Sequence, residues 1–410
     1  MASQVSPPPP LLDDEAWPNE LRLLLGPKAG GLLTAVANTA GGELGSWRPR
    51  QVNYQPHRST VVQYRAAMRW PSGQATSETF VAATGDSLPA HGAAVFEDGS
   101  ARVAVWRWPN DPFLPGLADA LDPNKVASLL EDLGSDGGAV QLRTRAYRPG
   151  RRAVIEATGR RGRLFLKVVR PAKAEALHQL HRSLAPHVPV PASLGWTNPG
   201  VVVLAARPGL TLRQALRSSQ QPPPPPQVIV GLLDRLPAHL AGQSPPRDLL
   251  SSIEHHAQVI AATVPSARGP LETLLGSLRS CISPDPSKVT AVHGDLYEGQ
   301  LLVDGSRITG LLDIDTAGAG LRVDDLANFC AHLSVLALVT DRPKRVKRYG
   351  ADLLGYAERH HQPSELRPRI AAAVLSLATG PFRVLEPEWA HNTLRRLELA
   401  SEWLANKPHR

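Results

Sequence analysis

The chain has 410 residues, 42% hydrophobic and 20% charged, which is enough for two or three packed domains of soluble composition. No apolar run approaches the roughly 20 residues that cross a bilayer, so no membrane partner is expected, and two cysteines, Cys281 and Cys330, exclude a disulfide scaffold or a cysteine-rich zinc site. The net charge of +8 comes mostly from scattered arginines, and no aromatic residue interleaves the one dense run, Arg342–Arg348, so no nucleic-acid partner is expected either.

Residues 1–20 carry Pro7–Pro10 and a few acids, without a basic segment leading into an apolar one. A disordered tail without a secretory signal is expected there, and with so few cysteines a cytoplasmic location. Residues 21–134 begin with a helix-like segment, Leu21–Ala37. Alternating stretches follow at Gln51–Tyr54, Ser59–Trp70, Ala75–Ala83, Ala93–Phe96 and Ala101–Trp108. Pro- and Gly-rich turns separate them, which predicts an antiparallel β-rich domain. A helical stretch, Lys125–Leu133, closes it before the Gly-Ser-Asp-Gly-Gly boundary that starts at Gly134.

Residues 139–206 form a second β-rich segment. Its opening, Tyr147–Ile155 (YRPGRRAVI), shares the register Tyr-x-Pro-x-Arg-x-x-Val-(Val/Ile) with Tyr54–Val62 (YQPHRSTVV). Two similar hairpins and an internal duplication both explain so short a match. The second copy reaches Leu164–Val169 with Lys167 inside an apolar strand, where the first has Thr79–Ala83 and no lysine. A strand lysine is costly to bury unless paired, and it can reach nucleotide phosphates; an edge-strand lysine in solvent is the alternative. Glu175, on the following helix Ala172–Leu184, is the acidic partner on offer. The strand Val201–Ala206, stopped by Pro208-Gly209, suits a connector between lobes, and residues 207–410 are largely helical.

The chemistry concentrates at His293–Asp315 (HGDLYEGQLLVDGSRITGLLDID). Asp304-Gly305 between two short apolar runs predicts a hairpin. A tight turn centred there sets Asp313 across from Leu296 and gathers Asp295, Gln300 and Asp313 into one patch. Two carboxylates and a carboxamide together suit a hard cation. Beyond them, Asp324-Asp325 precedes an apolar helix, Leu326–Val339, and suits its N-cap.

From about Leu142 onward these residues resemble the aminoglycoside phosphotransferase and choline-kinase-like small-molecule kinases. The family's His-Gly-Asp, followed five residues on by an amide, matches His293-Gly294-Asp295…Gln300. Its strand-ending aspartate, Gly-rich loop and Asp-Leu-Ala match Asp313, Ala317–Gly320 and Asp325–Ala327. The resemblance implies an α+β, protein-kinase-like two-lobed fold, with a β-rich N-lobe at 139–206, a helical C-lobe at 207–410 and an extra N-terminal cap at 21–134. It implies ATP and Mg2+ as cofactors and a small-molecule hydroxyl as acceptor, a sugar or aminosugar. Asp295 becomes the catalytic base, His293 the residue that holds its loop, Asp313 and Gln300 the metal ligands, and Lys167 the phosphate-binding lysine supported by Glu175. Gly150 sits in the phosphate-covering hairpin, Leu204–Ala206 forms the adenine hinge, and Asp325 caps its helix. The usual amide is asparagine; glutamine in its place is similar to maltokinase-like actinobacterial sugar kinases, the closest in motif. Glu298, Asp324, Glu386 and Glu388 are candidates to face an amino-bearing acceptor, with Trp389 as a stacking surface. The alternative is a pseudokinase-like protein that binds nucleotide or metabolite for regulation, without transfer activity.

Overall fold

The computed structural model describes residues 17–86, 88–97, 101–134, 138–160, 162–218, 221–242, 249–282 and 286–405. The tail expected at 1–20 falls mostly outside them, although Trp17 is buried and α1 begins two residues later. In the first lobe α1 (Asn19–Leu25) and α2 (Lys28–Thr39) pack on an antiparallel sheet of β1 (Glu43–Gln55), β2 (Ser59–Arg69), β3 (Ala75–Gly85), β4 (Ala94–Glu97) and β5 (Arg102–Arg107). Every second residue of β2 from Thr60 to Met68 is buried, as the two-residue period of a strand requires. The buried set meets Leu21, Leu24, Leu25 and Leu33 of the two helices.

Next comes α3 (Pro123–Asp132), started by the Asp122 side chain, which accepts from the backbone N–H groups of Asn124 and Lys125. The sequence assigned this stretch to the first domain. In the structure Leu117, Val126 and Leu130 pack instead against Ile155, Leu166 and Val203 of the second sheet. The first sheet's apolar face is already covered by α1 and α2, so the helix buries its stripe on the other sheet. That sheet contains β6 (Gln141–Arg148), β7 (Arg152–Gly159), β8 (Gly162–Val169), β9 (Ser193–Trp196) and β10 (Val201–Ala205), with α4 (Pro171–Leu184) inserted after β8.

The two sheets share one connectivity. The first runs β1-β2-β3-β5-β4 and the second β6-β7-β8-β10-β9, each five-stranded. The repeated nine-residue motif occupies the first hairpin of each. His57 and Gly150 hold the same place in the turn, with φ of 59° and 66°. Arg58 N–H donates to Gln55 O, and Arg151 N–H to Arg148 O, both at 3.0 Å. Strand register then sets Val61 beside Ala83 and Val154 beside Lys167. The likeness therefore extends from the motif to the whole sheet, and the lysine distinguishes the second copy.

The helical lobe opens with β11 (Leu210–Thr211) and α5 (Leu212–Arg217), followed by α6 (Pro226–Leu233), α7 (Leu249–Thr263) and α8 (Arg268–Cys281). Four short strands follow: β12 (Val289–Val292), β13 (Leu301–Asp304), β14 (Arg307–Leu311) and β15 (Gly318–Leu321). The chain ends in α9 (Arg322–Val339), α10 (Pro343–Ala357), α11 (Pro363–Leu377), α12 (Gly380–Arg383) and α13 (Trp389–Leu404). Phe329 and Leu333 of α9 share the core of this lobe with Ile370 and Val374 of α11. No described helix is long and apolar enough to cross a membrane.

Two sequence expectations change here. The β13–β14 turn pairs Asp304 with Arg307, so it centres on Gly305-Ser306, and an irregularity at Leu302/Val303 shifts the register further. Leu312 N–H consequently donates to Gln300 O at 2.8 Å, and Asp313 follows Gln300's partner instead of facing Leu296. Gly305, with φ of 56°, supplies the left-handed turn residue in place of Asp304. Trp389 packs edge-on to Phe382 at 5.1 Å and lies 6.0 Å from Trp17, so its ring joins the two outer parts of the chain.

Candidate active site

The loop after β12 is anchored from below by a buried carboxylate. Asp325 takes the backbone N–H of His293 on Oδ2 and that of Gly294 on Oδ1, both at 2.8 Å. The sequence made Asp325 an N-cap of its own helix, but α9 starts at Arg322, so Asp325 lies inside the first turn and serves the loop. Burial pushes its carboxyl upward, against the pull of His293 and the two N–H groups. His293 is fully buried, and its Nε2 lies 2.9 Å from the Leu312 carbonyl, which can only accept; that assigns the proton to Nε2. Nδ1 then accepts from the Asp295 N–H at 3.3 Å. Thr316 Oγ1 donates to His293 O at 2.9 Å. Gly294 has φ of 78°, and a Cβ there would lie 2.5 Å from Thr316 O, so only glycine fits. His293, expected to hold the loop, lies at the centre of this network, which leaves the Asp295 side chain half-buried at its tip.

Asp313 ends the neighbouring hairpin in a left-handed conformation, φ 54° and ψ 49°, unusual outside glycine and tolerated best by Asn and Asp. Its carboxylate gathers three side chains. Arg152 binds it bidentately, Nη1 to Oδ1 and Nη2 to Oδ2, both at 2.8 Å. Lys167 Nζ donates to Oδ1 at 2.8 Å, and Gln300 Nε2 to Oδ2 at 3.3 Å. Lys167 also donates to Asp315 Oδ1 at 2.5 Å, and Arg152 Nη1 reaches Asp315 Oδ2 at 3.5 Å. Burial alone would raise the Asp313 carboxyl; Lys167 and Arg152 overcome it and hold the group well below the usual carboxylate range. Two cations thus balance two carboxylates, which is how Lys167 is buried in mid-sheet.

Lys167 and Gln300 therefore converge on Asp313, and the loop carrying Asp295 is tied through His293 to Leu312 just before it. Glu175 does not join them: it is exposed on α4, while Lys167 is paired with Asp313 and Asp315. Gly150 is buried at the tip of the β6–β7 hairpin with φ of 66°, its N–H donates to Asp111 Oδ2 at 2.7 Å, and a Cβ there would lie 3.2 Å from the Phe113 ring. The same Asp111 oxygen accepts from Tyr147 Oη at 2.8 Å, so residues before the second sheet fix its hairpin. Leu204 is buried beside Val169, Leu177 and Val202 at the end of β10, and Ala206 N–H donates to Arg163 O at 3.3 Å.

Three of the four acids proposed for the acceptor are engaged elsewhere. Glu298 is fully buried and binds Arg213 through Oε1 at 2.7–2.8 Å, with burial raising its carboxyl. Asp324 Oδ1 lies 3.3 Å from Arg369 Nε, and burial pushes this carboxyl up to about 6. Glu386 accepts from Asn392 Nδ2 at 3.2 Å and lies 3.9 Å from Arg396. Glu388 begins α13 in a left-handed conformation and is exposed. Sequence reasoning missed Arg152, Asp315 and Asp111. Arg152 and Asp315 lie within blocks already singled out, and their charge at a motif edge was the available signal. Asp111 lies outside any motif.

A strand lysine ion-paired to a strand-ending aspartate, facing an anchored His-Gly-Asp loop, is the arrangement of a kinase that acts on small molecules. The chain belongs to the phosphotransferase enzyme family, whose model matches residues 145–375, more than half of its length. It is a small-molecule phosphotransferase. None of the curated proteins compared matches it. Similar solved structures include a thermostable mutant of aminoglycoside phosphotransferase APH(4)-Ia in ternary complex with ADP and hygromycin B: 15% identity, 69% of this chain, 98% of that one, TM-score 0.47. A choline kinase from Cryptosporidium parvum shows 9% identity over 70% of this chain and 96% of its own, TM-score 0.47. Plasmodium vivax ethanolamine kinase shows 13% over 63% and 82%, TM-score 0.41.

Proposed function

We propose that the protein transfers the γ-phosphoryl group of ATP, with magnesium, to a hydroxyl of a sugar or other polyhydroxylated small molecule. The observation that supports this reading is the convergence of Lys167, Arg152 and Gln300 on Asp313, with the Asp295 loop tied through His293 to Leu312 just before it. In the reaction the acceptor oxygen bonds to the γ-phosphorus, the bond from phosphorus to the β–γ bridging oxygen breaks, and ADP leaves. Asp295 takes the hydroxyl proton. Lys167 holds phosphate oxygens, and His293 and Asp325 keep the base in position.

The donor set fits magnesium. Asp313 and Asp315 offer hard carboxylate oxygens, and a turn of the Gln300 amide offers a carbonyl oxygen to the same point; magnesium is commonly held by one or two carboxylates and substrate phosphates. Bound there, the ion would neutralise charge on the phosphates. The test is ADP release from Mg-ATP across a panel of sugars, aminosugars, aminoglycosides and choline, with Asp295→Asn as control. Nucleotide binding without transfer to any acceptor would favour the regulatory alternative.

A further inference from the structure

A cluster of arginines gathers at the β6–β7 hairpin. Arg148 and Arg151 leave the β6–β7 hairpin on one side, and Arg383 leaves the C-terminus of α12 on the other. With Gln51, Asn53 and Gln63 of β1 and β2 they line a small cavity of about 50 Å³ where the first lobe meets the hairpin. Among the described residues, no hydrogen bond or ion pair engages the three guanidinium groups. Their neighbours Arg152, Arg213 and Arg396 each have a carboxylate. Burial lowers Arg383 and Arg151, and repulsion from neighbouring arginines lowers both further. Arg151 adjoins Arg152, whose guanidinium holds Asp313, so this end of the hairpin reaches the proposed site. Unbalanced like charges held together cost free energy that a bound anion would recover. A cationic aminoglycoside would add to the repulsion, and three of the four acids proposed to receive it, Glu298, Asp324 and Glu386, lie against Arg213, Arg369 and Arg396.

We propose that the acceptor is a small polyhydroxylated anion, a sugar or polyol carrying a carboxylate or phosphate. A cavity of this size takes the charged group alone, between Arg148, Arg151 and Arg383 with the amides of Gln51, Asn53 and Gln63 as further donors, and the hydroxylated remainder lies outside it towards the His293–Asp295 loop. The assignment rests on the kinase reading and deepens it. It also gives the first sheet a role, since its polar face completes the acceptor site.

Calorimetric titration of the full chain with gluconate, glucose 6-phosphate and glucosamine tests it, alongside Mg-ATP. One of the two anionic probes is expected to bind at least tenfold more tightly than glucosamine, and which one distinguishes carboxylate from phosphate. Arg383→Glu should weaken that probe at least tenfold and leave Mg-ATP within threefold. In turnover the same variant should raise KM for the anionic acceptor while kcat changes little. Arg148→Glu, followed by thermal unfolding, repeats the test should Arg383→Glu fail to fold. Glucosamine binding as tightly as the anions, or no binding by either anion, overturns the proposal. So does an equal loss of Mg-ATP affinity, which would give these arginines to the nucleotide. Anion binding that depends on Arg383, without ADP release from any acceptor, would retain the anion site and remove the kinase reading.

Discussion

Arg152 and Asp313, 161 residues apart, are joined by two parallel N–H···O bonds of 2.8 Å, one to each carboxylate oxygen. Arg152 therefore occupies both oxygens that a metal ion would need. Lys167 contacts one of them and has Asp315 as a second partner. A bidentate pair of this kind contributes about 1–2 kcal/mol, and about 1.4 kcal/mol is tenfold in affinity. Arg152→Ala is expected to lower the magnesium concentration for half-maximal activity roughly threefold to tenfold. A magnesium titration at fixed ATP reads this out. An unchanged or higher requirement would show that Arg152 does not compete with the ion.

Asp295 sits on a loop whose backbone is fixed independently of its own carboxylate, through Asp325, His293 and Thr316. Replacing it by asparagine should preserve that frame while removing the proton acceptor. A general base contributes on the order of 10²–10⁴ in rate, so Asp295→Asn should lower kcat by about that factor. Calorimetry should find the Kd for Mg-ATP within about twofold of the wild type, because the lysine and the metal hold the phosphates. Full turnover by the variant would dismiss Asp295 as the base.

The motifs were legible because each records a backbone or charge requirement. Gly294 marks a positive φ against Thr316 O, and Lys167 in an apolar strand demands a counter-charge. The partner of that lysine was misread as Glu175, since the nearest acid in sequence lies on the following helix and the true partners lie 146 and 148 residues away. Asp325 shows the same limit. Its place before an apolar run fits a helix cap, and only the packing of β12 against the start of α9 shows that its oxygens serve His293 and Gly294. The match between the two hairpins was visible over nine residues, whereas the shared strand order needed the sheets themselves. Burial of the candidate acceptor acids by Arg213 and Arg369 has no local pattern at all.

Gln300 is held at both backbone ends, its N–H donating to Tyr297 O at 2.9 Å and its carbonyl accepting from Leu312 N–H at 2.8 Å. The chain cannot slide forward to compensate for a shorter side chain. Gln300→Asn withdraws the amide by about 1.5 Å, one C–C bond, and should lower kcat at least about tenfold and raise the magnesium requirement. Gln300→Glu keeps the reach and adds a charge, so it should retain a lower magnesium requirement than Gln300→Asn. Equal behaviour of Gln300→Asn and wild type in a magnesium titration would mean that the glutamine does not contact the ion.

Asp325 accepts two hydrogen bonds in a fully buried setting, so Asp325→Ala leaves two N–H groups without partners. Loss of about 2–4 kcal/mol is expected on the scale of charge-assisted bonds. Urea unfolding measures it, and activity should fall with the loop's disorder even where the variant is folded. Gly294→Ala should act locally instead, because the added methyl collides with Thr316 O at 2.5 Å while the core below is untouched.

His181 gives the fold an acid-side limit. Its ring is buried on α4, with Nδ1 donating to Pro191 O at 2.8 Å. Burial, with a smaller push from Lys167, lowers it from the usual 6.5 to about 4, against the opposing influence of Pro191 O and Asp315. A base whose folded value is depressed gains a proton more readily when unfolded. Stability is therefore complete above the unfolded value and declines as pH falls from there towards the folded one. Between about pH 7.5 and about pH 5 this single group should account for a loss of about 2 kcal/mol. His181→Asn keeps an amide N–H able to reach Pro191 O and carries no titrating group. Urea unfolding at both pH values should therefore show the wild type losing about 2 kcal/mol more than the variant. Equal losses would place the acid sensitivity in other groups.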